Sequence, residues 1–337
     1  MRQHRVVDAS THNAPSSRAF QPIHDPHINA ISIHDIRGII GCLTRILISG
    51  SSGLIGRALL PSFEQSGAEV ARLVRGPARN ATEISWTPTG DLSPAAVSGF
   101  DVILHLAGQT VVGRWTAEKK RAIRESRVRG TQSVASALAR TAARPRVFIC
   151  ASAVGFYGDR GDEILTEESP PGAGFPADLS RDWEAASRIA AEAGIRSVNL
   201  RFGQVLSAQG GALQKMLPAF RMGIGGRLGS GRQWWSWIHV DDIVQGIHHV
   251  IGAEPLEGAV NFVAPNSVRN AEFTRILASV LGRPALLPLP AFAARLALGE
   301  MAQELMLSSQ RVEPAKLRAS GYSFHFPELG PALENLL

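Results

Sequence analysis

Lysine, tyrosine and cysteine are scarce in this chain, and each scarcity excludes something. Four lysines (Lys119, Lys120, Lys215, Lys316) stand among 35 basic residues, so the positive charge is almost all arginine; the net charge is only +6. No basic run marks a nucleic-acid footprint, and no nucleic-acid partner is expected. The two tyrosines, Tyr157 and Tyr322, are followed four residues later by Gly161 and Phe326. No Tyr-x-x-x-Lys pair exists anywhere. Two cysteines, Cys42 and Cys150, cannot make a disulfide framework or a four-ligand zinc site. A reducing, cytoplasmic setting without a metal site is expected. No uninterrupted apolar stretch reaches the roughly 18 residues of a membrane span, because Arg37, Arg45 and Arg295 break the apolar regions. A soluble protein without a membrane partner follows as the expectation.

What is present is core material. With 337 residues, 45% of them hydrophobic, the chain suits one large domain or two intimately joined ones and excludes general disorder. Residues 1–44 differ from the rest. They hold five of the ten histidines and show no sustained periodicity. They read as a flexible extension or an upstream translation start, with a targeting presequence or loose metal capture by the histidines as alternatives.

From Arg45 the pattern becomes regular. Arg45 to Ser49 (RILIS) has a buried-strand pattern and runs directly into Gly50-Ser51-Ser52-Gly53-Leu54-Ile55-Gly56. Leu54, Ile55, Ala58, Leu59 and Phe63 then share a helical face until Gly67, with Pro61 expected to kink the helix. A strand, a GxxGxxG turn and a helix in that order suit a dinucleotide. The glycines allow the tight turn, the backbone's approach to a pyrophosphate and close helix–strand packing, with the phosphates at the helix N-terminus.

The second strand, Glu69 to Val74, ends at Arg75, about 20 residues after the turn, where an acid would bond a ribose 2′-hydroxyl and an arginine a 2′-phosphate. Arg75 favours NADP(H) over NAD(H), unless it is simply a solvated turn residue. Asp101 to Gly108 (DVILHLAG) reads as a strand ending at the cofactor crevice, with His105 as a core residue.

These stretches, with GRWT (113–116), SRVRGT (126–131), ASAVGFYGDRGDE (151–163), RDWEAA (181–186), GGALQKMLPAF (210–220), GSGRQWWSWIHVDD (229–242), NAEFTRILASVLGRPALLPLP (270–290) and LSSQRVEPAKL (307–317), resemble the extended short-chain dehydrogenase/reductase superfamily. Within it they are similar to the atypical epimerase-family branch, which has a C-terminal domain of its own. The resemblance covers Arg45 to the C-terminus.

It implies an α/β fold: a Rossmann-type doubly wound parallel sheet over residues 45–200, completed by about 238–264, with a smaller substrate lobe from 201–237 and 265–337. By matching positions, Gly50, Ser51, Ser52, Gly53, Leu54, Ile55 and Gly56 would hold the pyrophosphate, and Arg75 the adenosine ribose. Leu106, Ala107 and Gly108 would line the crevice. Arg127, standing where relatives have asparagine, and Val205 complete the implied contacts.

The departures are as informative as the matches. The superfamily's catalytic tyrosine and lysine positions fall on Pro176 and Ser180, and its Ser/Thr position on Ala153. All three are vacant. Substitutes in the right region are Tyr157, Ser152, Asp178, Arg181 and His239. Each has a structural alternative: Tyr157 as a packed ring, Ser152 pointing to the other face if its strand stays extended, Asp178 and Arg181 as a helix-start ion pair, His239 as a hydrogen-bonding group at the domain junction with Asp241 or Asp242 capping the next helix.

The glycine-rich Gly223 to Gly231, leading to Trp234, Trp235 and Trp237, resembles a mobile lid with an aromatic wall, or else a closely packed loop. Lys215 either faces the pocket or lies on the surface. Asn270 is a candidate N-cap for a helix over 271–281. The leading functional reading is an NADP(H)-binding atypical oxidoreductase acting on a small molecule, as a monomer or homodimer. A non-catalytic NADP(H)-responsive regulator and a nucleotide-sugar epimerase with a non-standard acid/base pair remain alternatives.

Overall fold

The computed structural model describes residues 44–337, so the readings made for residues 1–43, including the histidines and Cys42, lie outside the described residues. Seven parallel strands form the central sheet. In chain order β1 (Arg45–Ser49), β2 (Glu69–Val74), β3 (Glu83–Ser85), β4 (Val102–His105) and β5 (Val147–Ala153) come first. The short β6 (Ile164–Leu165) lies outside this sheet and precedes β7 (Arg196–Phe202). After β8 (Gln204–Leu206), β9 (Trp234–Trp235) and β10 (Trp237–His239), β11 (Gly258–Phe262) completes the sheet. The sheet order is β3-β2-β1-β4-β5-β7-β11. Order reverses between β1 and β4, and at such a switch point a crevice opens beyond the carboxyl ends of the strands.

Burial on both faces explains the near-continuous apolar strands. Ile46, Leu47 and Ile48 of β1 and Phe148 and Ile149 of β5 are fully buried. The covering helices include α1 (Leu54–Ser66), α2 (Ala117–Arg140), α3 (Phe175–Glu192) and, after α4 (Gly211–Arg221), α5 (Val240–Gly252). Gly67 closes α1 in the left-handed conformation at φ +80°. Pro61 lies inside α1 without ending it, because it stands on the exposed face, where the carbonyl it leaves unbonded meets water.

A second apolar core joins Leu213 and Phe220 of α4 to Trp235, Trp237, Phe273 and Leu333. It gathers α6 (Asn270–Val280) and the C-terminal helix around the small β8–β10 and β9–β12 ladders, with β12 spanning Val268–Arg269. Leu317 and Tyr322 return to the first core, so the C-terminal segment stitches the two together. Asp242 makes that stitch. Fully buried, it accepts the Tyr322 hydroxyl at 3.0 Å and the amides of His325 and Phe326 at 2.8 and 3.0 Å.

Asp242 is therefore not the cap of α5. His239 is: its Nδ1 accepts the Asp241 amide at 3.1 Å, and its ring stacks on Phe326. Asn270 likewise opens α6 without capping it, since its side chain accepts the Leu228 amide at 2.7 Å. Among the described residues, no helix is long and apolar enough to cross a membrane, and no group of three or more metal-ligating side chains converges.

Candidate active site

The two strands flanking the crevice are tied at their ends. Ser49 and His105 are register partners, and Ser49 Oγ lies 2.7 Å from His105 Nδ1. Burial pushes the His105 imidazole down to about 4, so the ring is neutral and structural, packed edge-on against Trp86.

Beyond Ser49 the chain turns sharply. Gly50 sits at φ +74°, and a Cβ there would come within 2.7 Å of the Leu106 carbonyl carbon. A Cβ on Gly56 would come within 2.4 Å of the Gly50 carbonyl oxygen. Helix α1 then starts at Leu54 with Gly53 as an N-cap that offers no side chain, so its first-turn amides have no side-chain acceptor. A dinucleotide pyrophosphate fits this cradle: a close backbone, free amides and a positive helix end. Ser51 is half-buried and Ser52 exposed along it.

The other walls come from distant parts of the chain. Leu106 and Ala107 are half-buried and Gly108 is exposed just past β4. Beneath them Arg127 donates to the Gln109 carbonyl at 2.8 Å, lies against the Gly108 backbone and stacks over Trp183. Burial lowers the Arg127 guanidinium to about 10. It buttresses the crevice loop. Val205 is half-buried in β8, and its carbonyl and the Leu54 side chain both abut Gly211, which closes the second lobe onto the start of α1. Arg75 is exposed at the end of β2 and forms no ion pair among the described residues.

Two catalytic candidates, Tyr157 and Ser152, take the structural alternative. Tyr157 is fully buried, with its hydroxyl donating to Asn261 Oδ1 at 2.7 Å and accepting from Arg201 at 2.9 Å. Burial is the main reason its phenol is pushed up to about 12. Ser152 donates to Glu184 Oε1 at 2.7 Å, and Glu184 grips Arg201. Neither hydroxyl is offered to a substrate; both belong to a buried network that fixes β5, β7 and α3. Asp178 and Arg181 are half-exposed on the first turns of α3 and pair with each other at 2.9 Å. Lys215 is exposed on α4.

The glycine-rich segment is packed rather than lid-like. A Cβ on Gly225 would strike the Phe220 ring, and Gly229 donates to the Leu289 carbonyl at 2.9 Å. Trp235 and Trp237 fill the second core. Trp234 lies between Arg269 and Arg311 and donates to Asp162 at 2.8 Å.

One group escaped the sequence reading. After α7 (Ala291–Leu298), a turn of π-helix over Ala302–Leu307 carries Glu304 to the start of α3, where its carboxylate abuts Gly174, two residues before Pro176. Such turns recur at functional sites. Glu300 ion-pairs Lys120 at 2.8 Å, and Met301 Sδ meets the Gly113 amide at 3.3 Å, anchoring this segment over the loop that leaves β4. Burial, with Glu300 and Asp159 nearby, pushes the Glu304 carboxyl above its ordinary range. Contact with residue 174 is long-range, so no local motif announced it.

Comparison with known proteins agrees with this geometry. Residues 46–261 match the NAD dependent epimerase/dehydratase family, and residues 289–336 match a domain of unknown function, DUF1731. The chain is 41% identical over 290 residues to an epimerase family protein of Mycobacterium bovis, covering 86% of this chain and 96% of that protein. It superposes on the crystal structure of human epimerase family protein SDR39U1 (isoform 2) with NADPH at TM-score 0.80 and 33% identity, covering 87% of this chain and 99% of that one. A nucleoside-diphosphate sugar epimerase from Corynebacterium glutamicum gives TM-score 0.76 and 36% identity, over 90% of this chain and 60% of that one. The chain therefore belongs to the NAD dependent epimerase/dehydratase family, as an atypical short-chain dehydrogenase/reductase with a C-terminal DUF1731 domain.

Proposed function

We propose that the protein is an NADP(H)-dependent oxidoreductase acting on a small molecule, with Glu304 as its proton donor and acceptor. The observation that carries the reading is the placement of the Glu304 carboxylate beside Gly174 at the start of α3, two residues before the vacant tyrosine position, where burial pushes it above the ordinary carboxylate range. Gly50 to Gly56 hold the pyrophosphate, and Arg75 pairs with the 2′-phosphate. The human relative described with NADPH supports that preference. Arg57, whose Nη1 donates to the Ser52 carbonyl at 3.0 Å, adds a second cation at the glycine turn.

A bound nicotinamide supplies or takes the hydride. In the reducing direction Glu304 donates its proton to the substrate oxygen as that oxygen gains charge; in the oxidising direction the carboxylate takes it back. Asp178 and Arg181 orient the polar end of the substrate at the mouth. The regulator alternative loses its main motive, since Glu304 offers the acid/base group that the vacant tyrosine, lysine and Ser/Thr positions lack. The test is NADPH deuterated on either nicotinamide face, incubated with the protein and a metabolite extract and followed by mass spectrometry. Label arriving in one metabolite supports hydride transfer and identifies the substrate; NADPH binding without transfer to any metabolite contradicts it.

A further inference from the structure

The second lobe carries an apolar face with a basic border that neither the crevice nor the core uses. Leu286 and Leu296 are 77% exposed, Phe292 72% and Met222 66%, with Leu287 and Ile224 at least half exposed. They form one surface. The glycine-rich segment and the segment after α6 run together through the Leu228–Leu289 bridge, with the Leu289 amide on the Arg227 carbonyl at 2.9 Å and Gly226 against the Leu287 carbonyl. Helix α7 extends this edge with only Ala294 buried, and Phe292 and Leu296, four residues apart, share its outer face. A contiguous apolar surface of this kind marks an interaction site.

Charge identifies the partner. Residues 211–233 and 281–298 carry Lys215, Arg221, Arg227, Arg232, Arg283 and Arg295, and no Asp or Glu. Beside the exposed leucines runs a groove of about 590 Å³ lined by Arg227, Arg275 and Arg283 together with Ser279, Ala285 and Leu286. None of the three arginines forms an ion pair among the described residues. Unpaired guanidiniums beside protruding apolar side chains match the two layers of an anionic bilayer: phosphates outside, acyl chains beneath. A second copy matches poorly, because a two-fold interface would set the same arginines against one another.

We propose that this face docks the protein on an anionic membrane surface, with α7 and the 286–289 segment inserted at the headgroup boundary and the arginine groove holding lipid phosphates. Sequence hydropathy, tuned to spans, does not register such an association. The full chain with NADPH is sedimented with vesicles of phosphatidylcholine alone or mixed with phosphatidylglycerol. Expected is binding to the mixed vesicles at least tenfold tighter than to the neutral ones, weakened by added salt.

The Phe292→Ser/Leu296→Ser variant should bind at least tenfold more weakly, and Arg275→Gln/Arg283→Gln more than about tenfold, at about fivefold per arginine. NADPH affinity should be unchanged in both, which confirms that they fold. No sedimentation with mixed vesicles, equal binding to neutral ones, or full binding by both variants overturns the proposal. So does a dimer that the Phe292→Ser/Leu296→Ser change dissociates while vesicle binding stays absent, which would assign the face to a second copy.

Discussion

Glu184 accepts both Nε and Nη2 of Arg201, each at 2.8 Å, in the buried space between α3 and β7. Ser152 and Tyr157 bond to the same pair, and Arg201 also lies 3.5 Å over the Phe156 ring. Removing one partner leaves the other charge buried and uncompensated. Glu184→Gln should lower stability by about 3–5 kcal/mol, and Glu184→Leu/Arg201→Met by clearly less than the two single changes summed. Urea unfolding of the set checks this; additive losses would mean the pair is not coupled.

Tyr157 belongs to that network, so its hydroxyl is expected to stand outside the chemistry. Tyr157→Phe should leave turnover within a few-fold of the parent and reduce stability by about 1 kcal/mol, the net worth of a hydrogen bond. Glu304→Gln should behave in the opposite way: kcat falls by about 10²–10⁴ while NADPH affinity and stability hold. Steady-state kinetics on the substrate found by label transfer, with thermal melts alongside, separates the two.

The crevice turn tolerates no side chain. Gly50→Ala would place a methyl group 2.7 Å from the Leu106 carbonyl carbon at φ +74°. A backbone strain of about 1–3 kcal/mol is the expected cost, together with more than tenfold weaker NADPH binding as the turn opens. Fluorescence titration of NADPH reports it, and unchanged affinity would remove Gly50 from the site.

Two buried histidines set a pH dependence. Burial pushes His105 and His248 each down to about 4, against an ordinary value of 6.5. Both are neutral when folded, whereas the unfolded chain takes up protons below about pH 6.5. The unfolded state then binds more protons, so stability is full above pH 6.5 and is lost as pH falls toward 4, by about 3 kcal/mol for each. His248→Gln keeps a polar atom for Ser62, which lies 2.9 Å from His248 Nε2, and removes one titration. Its stability should fall less steeply with acid; an unchanged slope would contradict the account.

Local elements were readable because local rules made them. Arg45–Ser49, Glu69–Val74 and the helix closed by Gly67 follow from apolar runs ended by glycine, and the vacant Tyr-x-x-x-Lys positions from two tyrosines without partners. What sequence missed depends on contacts across the chain. The cap role of His239 was hidden because Asp242 is recruited by Tyr322 and the amides of residues 325 and 326. The glycines at 225 and 226 serve packing against Phe220 and Leu287, which periodicity cannot distinguish from mobility. Glu304 was invisible because its meaning comes from its contact with Gly174, far upstream in the chain.

In the proposed function, Arg75 makes the crevice between β1 and β4 prefer the phosphorylated dinucleotide. Side-by-side titration of NADPH and NADH against the protein and its Arg75→Ala variant tests it most directly. At least tenfold tighter binding of NADPH by the parent is expected, with the advantage largely erased in the variant while NADH affinity is unchanged. Equal or tighter binding of NADH by the parent would contradict it.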